Sequence, residues 1–251
     1  METTDPGCAP SDDGVIAVKN VTGGQPPYQF ALNLIDFQQN PTFLGQTPGD
    51  YLIKIRDASG CPDSLSISLE PPPVIALDLG GPITIELGDS IKLQPVASPT
   101  PDLWAWALNR PGLSCYGCQN PWAKPRADLT YYLTVDGVGT CPVSDSVRVS
   151  VLKIRRVFIP NIFTPNDDGD NDFLTVYAGK GTKTVRKLQI WSRWGELVFE
   201  RENFAPNELE LGWDGRFRGK AMSPGVFTVV AEVEFIDGWI EKKKGDVTVA
   251  R

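Results

Sequence analysis

Apolar and polar residues alternate with a period of two along most of this chain. The clearest runs are Ile53-Lys54-Ile55, Leu65-Ser66-Ile67-Ser68-Leu69, Ile83-Thr84-Ile85, Val147-Arg148-Val149-Ser150-Val151 and Val229 to Val233. Successive side chains of a strand point to opposite faces, so this alternation predicts strands with one face buried and one wet. Windows with apolar residues at i, i+3 and i+4 are few, and Pro or Gly interrupts most of them. With 24 glycines and 22 prolines in 251 residues, turns between short strands are well supplied. The predicted class is all-β.

An internal repeat organises these runs. Tyr51 to Cys61 and Tyr131 to Cys141 have equal length, and each opens on an aromatic that leads an alternating strand. A glycine-containing turn then reaches Cys-Pro, and a second alternating run follows, Leu65–Leu69 or Val147–Val151. A third echo begins where Pro224-Gly225-Val226-Phe227 mirrors Pro48-Gly49-Asp50-Tyr51. Glu70-Pro71-Pro72-Pro73 is a stiff break, because proline fixes φ and favours an extended chain. Near Lys153-Ile154-Arg155-Arg156 a further apolar run, Val157 to Pro160, begins. These breaks predict three tandem Ig-like β-sandwich modules, 1–71, 72–152 and 153–251, each near the smallest size that one core supports.

Composition removes several function classes. The net charge of −7 opposes nucleic acid, whose phosphates demand a basic face, and equally an anionic membrane surface. Histidine is absent, which excludes Ser-His-Asp and Cys-His nucleophiles and any imidazole metal site. No apolar run approaches the roughly 20 residues of a membrane span. The opening, METTDPGCAPSDDG, is polar and acidic rather than a secretory signal peptide. Five cysteines on short β-like segments nevertheless suggest an oxidising compartment. An exported protein of this kind is expected to be a piece of a longer chain.

Cys8 and Cys61 are the two cysteines of the first module and are expected to pair, a bridge worth roughly 4 kcal/mol by loop entropy. Cys115, Cys118 and Cys141 are odd in number, so one disulfide and one spare thiol are expected, with the pairing open. Cys115-Tyr116-Gly117-Cys118 lacks both the fourth ligand a zinc site wants and the βαβ setting of a redox motif.

The densest chemistry is Asn166-Asp167-Asp168-Gly169-Asp170-Asn171-Asp172. Asn166, Asp168, Asp170 and Asp172 fall at every second position, like the oxygen ligands of a calcium loop. An EF-hand, however, needs Gly at its sixth position and Glu at its twelfth, whereas Gly169 is fourth and no Glu follows at that distance. Asn, Asp and Gly are also the commonest turn formers. The pattern favours an Asx-rich turn, with calcium as the one cofactor it admits.

That loop belongs to a longer series. Phe158 to Phe173 contains Pro160, Asn161, Phe163, Pro165, Asn166, Asp168, Gly169, Asn171 and Asp172. Leu188 to Glu200 follows with Arg193-Trp194-Gly195, then Gly212 to Lys220 with Trp213-Asp214-Gly215 and Gly219, then Gly225, and last Lys244 to Arg251. This order of blocks resembles the gliding-motility-associated C-terminal domain, the type B sorting signal of cargo for the type IX secretion system. Ser192 stands where that family usually has asparagine, and Asp167 where it usually has glycine before Asp-Gly. The first module is similar to SprB repeats through Ser11 to Gly14, Thr22 to Tyr28 and Asp57 to Cys61. The second is similar to Ig-like modules that precede such signals, through Leu87 to Ser90, Trp104 to Trp106, Leu113 to Cys115, Cys118 to Pro121 and Thr130-Tyr131.

The resemblance implies the C-terminal part of a large, adhesin-like protein, secreted to the cell surface across the outer membrane. The partners it implies are the type IX outer-membrane translocon and a PorP/SprF-like outer-membrane protein. No chemistry on a substrate is expected, since paired carboxylates alone are commonplace in a chain with 31 acids. Physical duties can be assigned beside it. Trp194-Gly195-Glu196 reads as a tight turn between strands and Trp213-Asp214-Gly215 as a turn at a strand end. Trp191, Trp194 and Trp213 are expected in the core. Lys242-Lys243-Lys244 reads as a hairpin tip or an edge guard. The competing reading is a calcium-dependent carbohydrate-binding module using exposed Trp104, Trp106 or Trp122, the first two sharing one strand face.

Overall fold

The computed structural model describes residues 1–8, 11–33, 36–137 and 139–250. Among them every regular element is a strand except one 3-10 turn, Leu209–Leu211. No helix is long and apolar enough to cross a membrane. All five alternating runs lie in strands: Gly49–Arg56, Pro62–Leu69, Ile83–Glu86, Val143–Leu152 and Gly225–Phe235. The chain forms two compact units, and the stretch 72–152 contributes to both.

The first unit comprises Met1–Asp78 with Pro95–Trp106 and Leu133–Asp145. Strands Glu2–Thr4, Gly14–Ala17 and Thr42–Gln46 form one sheet; Gln29–Leu32, Gly49–Arg56 and Pro62–Leu69 form another. Ile16 and Phe43 from the first sheet meet Phe30, Leu32, Ile53 and Leu69 from the second in one buried cluster. This is a sandwich: each sheet hides its apolar face against the other. The hairpin Gly49–Arg56/Pro62–Leu69 closes at Asp57. Its carboxylate accepts the N–H groups of Gln25 (3.0 Å), Ser59 (2.9 Å) and Cys61 (3.0 Å). These donors, Gln25 foremost, hold the carboxyl below its ordinary range.

The disulfide expectation is corrected here. Cys8 bonds Cys141, with Cα atoms 5.4 Å apart, and Cys61 is a free, exposed thiol. A bridge needs Cα atoms within about 7 Å. Cys8 lies against the turn before Cys141, its Sγ 3.7 Å from the Thr140 carbonyl oxygen. Cys61 ends the exposed Asp57 turn instead. The second bridge joins Cys115 to Cys118.

The second unit comprises Leu79–Gln94, Ala107–Tyr132 and the chain from Ser146 onward. It is built on a five-stranded sheet in the order Ile162–Phe163, Ile240–Val249, Gly225–Phe235, Thr182–Trp191, Leu197–Phe204. Only Ile162–Phe163 runs parallel to its neighbour. Along the central strand Phe227, Val229, Ala231, Val233 and Phe235 are all buried, as a period of two requires. The inner face is completed by Phe163, Leu188, Ile190, Val198, Val247 and Val249.

Candidate functional site

The acidic loop is a closed turn. One oxygen of Asp172 accepts the N–H groups of Asn166 (2.9 Å) and Asp167 (2.7 Å), and the other accepts that of Gly169 (2.8 Å). Asp168 accepts the N–H of Asp170 (2.8 Å) and the side-chain amide of Asn166 (2.8 Å). Asp167 and Asn171 take positive φ, which Asn and Asp tolerate better than most residues. Among the described residues no group of three or more His, Cys, Asp and Glu side chains is placed to share an ion.

Backbone donors, Gly169 first, keep the Asp172 carboxyl below its ordinary value of 3.8. A depressed carboxyl stabilises the fold fully above its unfolded pKa and loses that contribution as pH falls through the folded one. Acid below about pH 4 is therefore expected to loosen this loop. Asp172→Asn, left with one acceptor oxygen, should lower the thermal midpoint at pH 7 and flatten its decline in acid. An unchanged midpoint would contradict this account of the loop. A midpoint that rises with millimolar calcium but not with magnesium would establish the metal reading; no shift would leave the turn reading alone standing.

The turn is fastened to Trp213-Asp214-Gly215. Trp213 is fully buried, with ring centroids 5.4 Å from Phe163 and 5.0 Å from Phe227, and its Nε1–H donates to the Arg216 carbonyl at 2.8 Å. Trp213 and Leu174 exchange both backbone hydrogen bonds at 2.9 Å. At Gly215, φ is +72° and a Cβ would lie 2.6 Å from Pro165. Arg216 reaches back to Asp167 at 3.1 Å. Nearby, Asn161 and Phe163 accept the N–H groups of Thr248 and Ala250, and Gly225 stands opposite Val249. Pro160, Asp168, Asn171, Asp214 and Gly219 belong to these same turns and strand ends; Gly219 takes positive φ at the tip of the Arg216–Phe217/Lys220–Ala221 hairpin. Blocks far apart in sequence thus assemble one end of the sheet. Arg251 lies outside the described residues.

Arg193-Trp194-Gly195 stands apart, at the tip joining Thr182–Trp191 to Leu197–Phe204. The N–H of Ser192 donates to Glu196 (2.8 Å), that of Gly195 to Ser192 (3.0 Å), and Gly195 has φ +80°. The tight turn holds, but Trp194 is 84% exposed, not in the core; Trp191 is half-buried. A tip residue has no facing layer to pack against, whatever its hydrophobicity. The Arg193 guanidinium lies over the Trp194 ring at 5.1 Å.

The outer face of the five-stranded sheet changes character along its length. At one end, register aligns Glu202, Lys187, Glu232 and Lys242 across four strands, with Lys187 bonded to Glu202 (2.7 Å) and Glu232 to Lys242 (2.7 Å). Glu234 pairs with Lys183 at 2.6 Å beside this row. Two residues on, the row reads Glu200, Gln189, Val230, Lys244. At the opposite end it reads Trp191, Thr228, Asp246, and then Val226, Thr248, Ile162. Lys242, Lys243 and Lys244 therefore lie within a strand whose outer edge is covered only at Thr248–Val249, an edge guard rather than a hairpin tip.

Trp104 and Trp106 do not form an open platform. Trp106 is 3% exposed, and Trp104, two residues away on the same face, is half-buried; only Trp122 is open. Sequence reasoning also missed the Arg155–Asp237 pair. Asp237 is nearly buried, accepts from Arg155 at 2.7 Å, and Arg155 also lies over Trp239 at 5.0 Å. Nothing in the local pattern singles out Asp237, since it sits in an ordinary Asp-Gly turn.

No curated protein matches the chain. Among solved structures, similarity is found to Sidekick-1 immunoglobulin domains 1-5, with 10% identity over 84% of this chain and 47% of that one, and a TM-score of 0.38. Drosophila N-cadherin EC1-4 is similar at 12% identity over 94% of this chain and 69% of that one, with a TM-score of 0.28. The chain spans about half the length of the Sidekick-1 structure. Family models match two segments, the SprB repeat over residues 2–37 and the CHU_C type IX secretion signal domain over residues 157–249. The chain therefore carries an SprB repeat and, in the sheet bearing Trp213 and the acidic turn, a type IX secretion signal domain of the CHU_C family.

Proposed function

We propose that residues 157–249 act as a folded address, recognised by the type IX outer-membrane translocon together with a PorP/SprF-like membrane protein, and that they hold the preceding part of the protein at the cell surface. The observation that carries this reading is the match of a secretion signal model to the segment in which distant sequence blocks converge on Trp213. Recognition on this reading is of a shape, because the blocks meet only in the folded domain. The SprB repeat supports a role for the longer protein in surface adhesion, with the stretch 72–152 as an Ig-like spacer. The chain does no chemistry on a substrate.

The test is a reporter with a cleavable signal peptide, placed ahead of the chain and expressed in a gliding host. The reporter is expected outside the cell, and inside the periplasm of a host lacking the type IX translocon. Equal export from both hosts would refute the assignment.

A further inference from the structure

Proteins that act alone rarely gather exposed apolar side chains on one stretch of surface. One end of the sheet in the secretion signal domain carries several. Trp194 is 84% exposed, Val226 55% and Ile162 54%. Val226 and Ile162 both neighbour Thr248 on the outer face, and Trp191 lies one row away beside Thr228. Trp194 caps the same end on the tip that follows Trp191.

The far end of this face is crossed by ion pairs, while Lys244 on the row between makes none among the described residues. Glu202 pairs with Lys187 and Glu232 with Lys242 across the strands, so charges of both signs alternate at that end. Arg193 sits at the apolar end: among the described residues no carboxylate lies within ion-pair distance of it, as is also true of Lys244, and its contact is the ring of Trp194.

We propose that the patch of Trp194, Val226, Ile162 and the half-buried Trp191, with Arg193 at its margin, is the surface by which the type IX machinery grips this domain. The occupant is a protein of that machinery presenting an apolar pocket bordered by a carboxylate. This rests on the signal reading above and names the contact it uses. Three features select a protein occupant with a carboxylate. A Trp beside an Arg is the composition of an interface anchor. The unpaired guanidinium matches a carboxylate. A second copy of the chain meeting the same patch would bring two Arg193 side chains together, which like charge opposes. The turn backbone is also pre-formed by the hydrogen bonds of Ser192 with Glu196 and of Gly195 with Ser192, so little backbone ordering remains to be done. Beneath the patch, Phe227 follows Val226 onto the inner face and packs on Trp213, giving the surface a rigid floor.

The experiment uses the full chain behind the exported reporter. Trp194→Ser is expected to reduce the exported fraction by at least about tenfold, the scale of losing one anchor residue, while the purified chain keeps its thermal midpoint. Arg193→Glu should act in the same direction, and the triple variant Trp194→Ser, Val226→Ser, Ile162→Ser should abolish export. Lys187→Gln with Glu232→Gln, at the ion-paired end, should be exported normally. Should the triple variant fail to fold, Trp194→Ser alone decides, since its side chain supports no core. Normal export of Trp194→Ser, or equal losses at both ends of the face, would overturn the proposal and leave the signal reading standing. Failure of the unaltered chain to be exported would overturn both.

Discussion

Trp213→Ala is expected to destabilise the second unit by about 3–5 kcal/mol and to stop export of an attached reporter. The indole is fully buried between Phe163 and Phe227, and its N–H is bonded to the Arg216 carbonyl. Truncation removes the largest fully buried side chain and leaves a cavity where the blocks around Phe163, Trp213 and Phe227 meet. A domain's whole stability is about 5–15 kcal/mol, so such a loss consumes much of it. Trp213→Phe keeps most of the volume but frees the Arg216 carbonyl, and should fall between. Denaturant unfolding of the purified chain measures both. A change below about 1 kcal/mol for alanine, outside the usual range for a buried aromatic, would mean that the ring does not fill this core.

The second large effect concerns Cys8–Cys141, whose sequence separation is 133. Closing a loop of that length removes unfolded-chain entropy worth about 4–5 kcal/mol. Cys8→Ser is therefore expected to lower the melting transition of the first unit by many degrees. Cys8 and Cys141 both belong to the first unit, so the transition of the second unit should shift less. Peptide mapping without reduction should recover Cys8 linked to Cys141, Cys115 linked to Cys118, and Cys61 alone open to alkylation. Recovery of a Cys8–Cys61 peptide would reverse the assignment.

Local pattern carried further than long-range pairing in this chain. The alternation of Gly225–Phe235 marks its buried face residue by residue, because a strand's period is two whatever surrounds it. The echo of Pro48-Gly49 in Pro224-Gly225 likewise falls at strand starts, at Gly49 and Gly225. The Asx character of residues 166–172 was legible from composition, although Asp172 as the common acceptor was not. Cys8 was misread because its partner lies on a turn more than 130 residues away, and nothing near Cys8 records that. Trp194 was misread for another reason: hydrophobicity predicts burial only where a second layer exists, and a hairpin tip has none. The patch with Val226 and Ile162 follows from sheet register, which alternation alone does not set.

The central claim is that the fold of residues 157–249, rather than any peptide within it, is what the secretion machinery reads. The most direct measurement compares the exported fraction of one reporter carried by the intact chain, by a chain ending at Gly245, and by a chain lacking residues 1–150. Ending at Gly245 removes buried Val247 and Val249 and unpairs Gly225 to Thr228, yet keeps the blocks around the acidic turn, Trp194 and Trp213. Export of the first and third reporters and periplasmic retention of the second are expected. Export of the chain ending at Gly245 at the level of the intact one would contradict the claim.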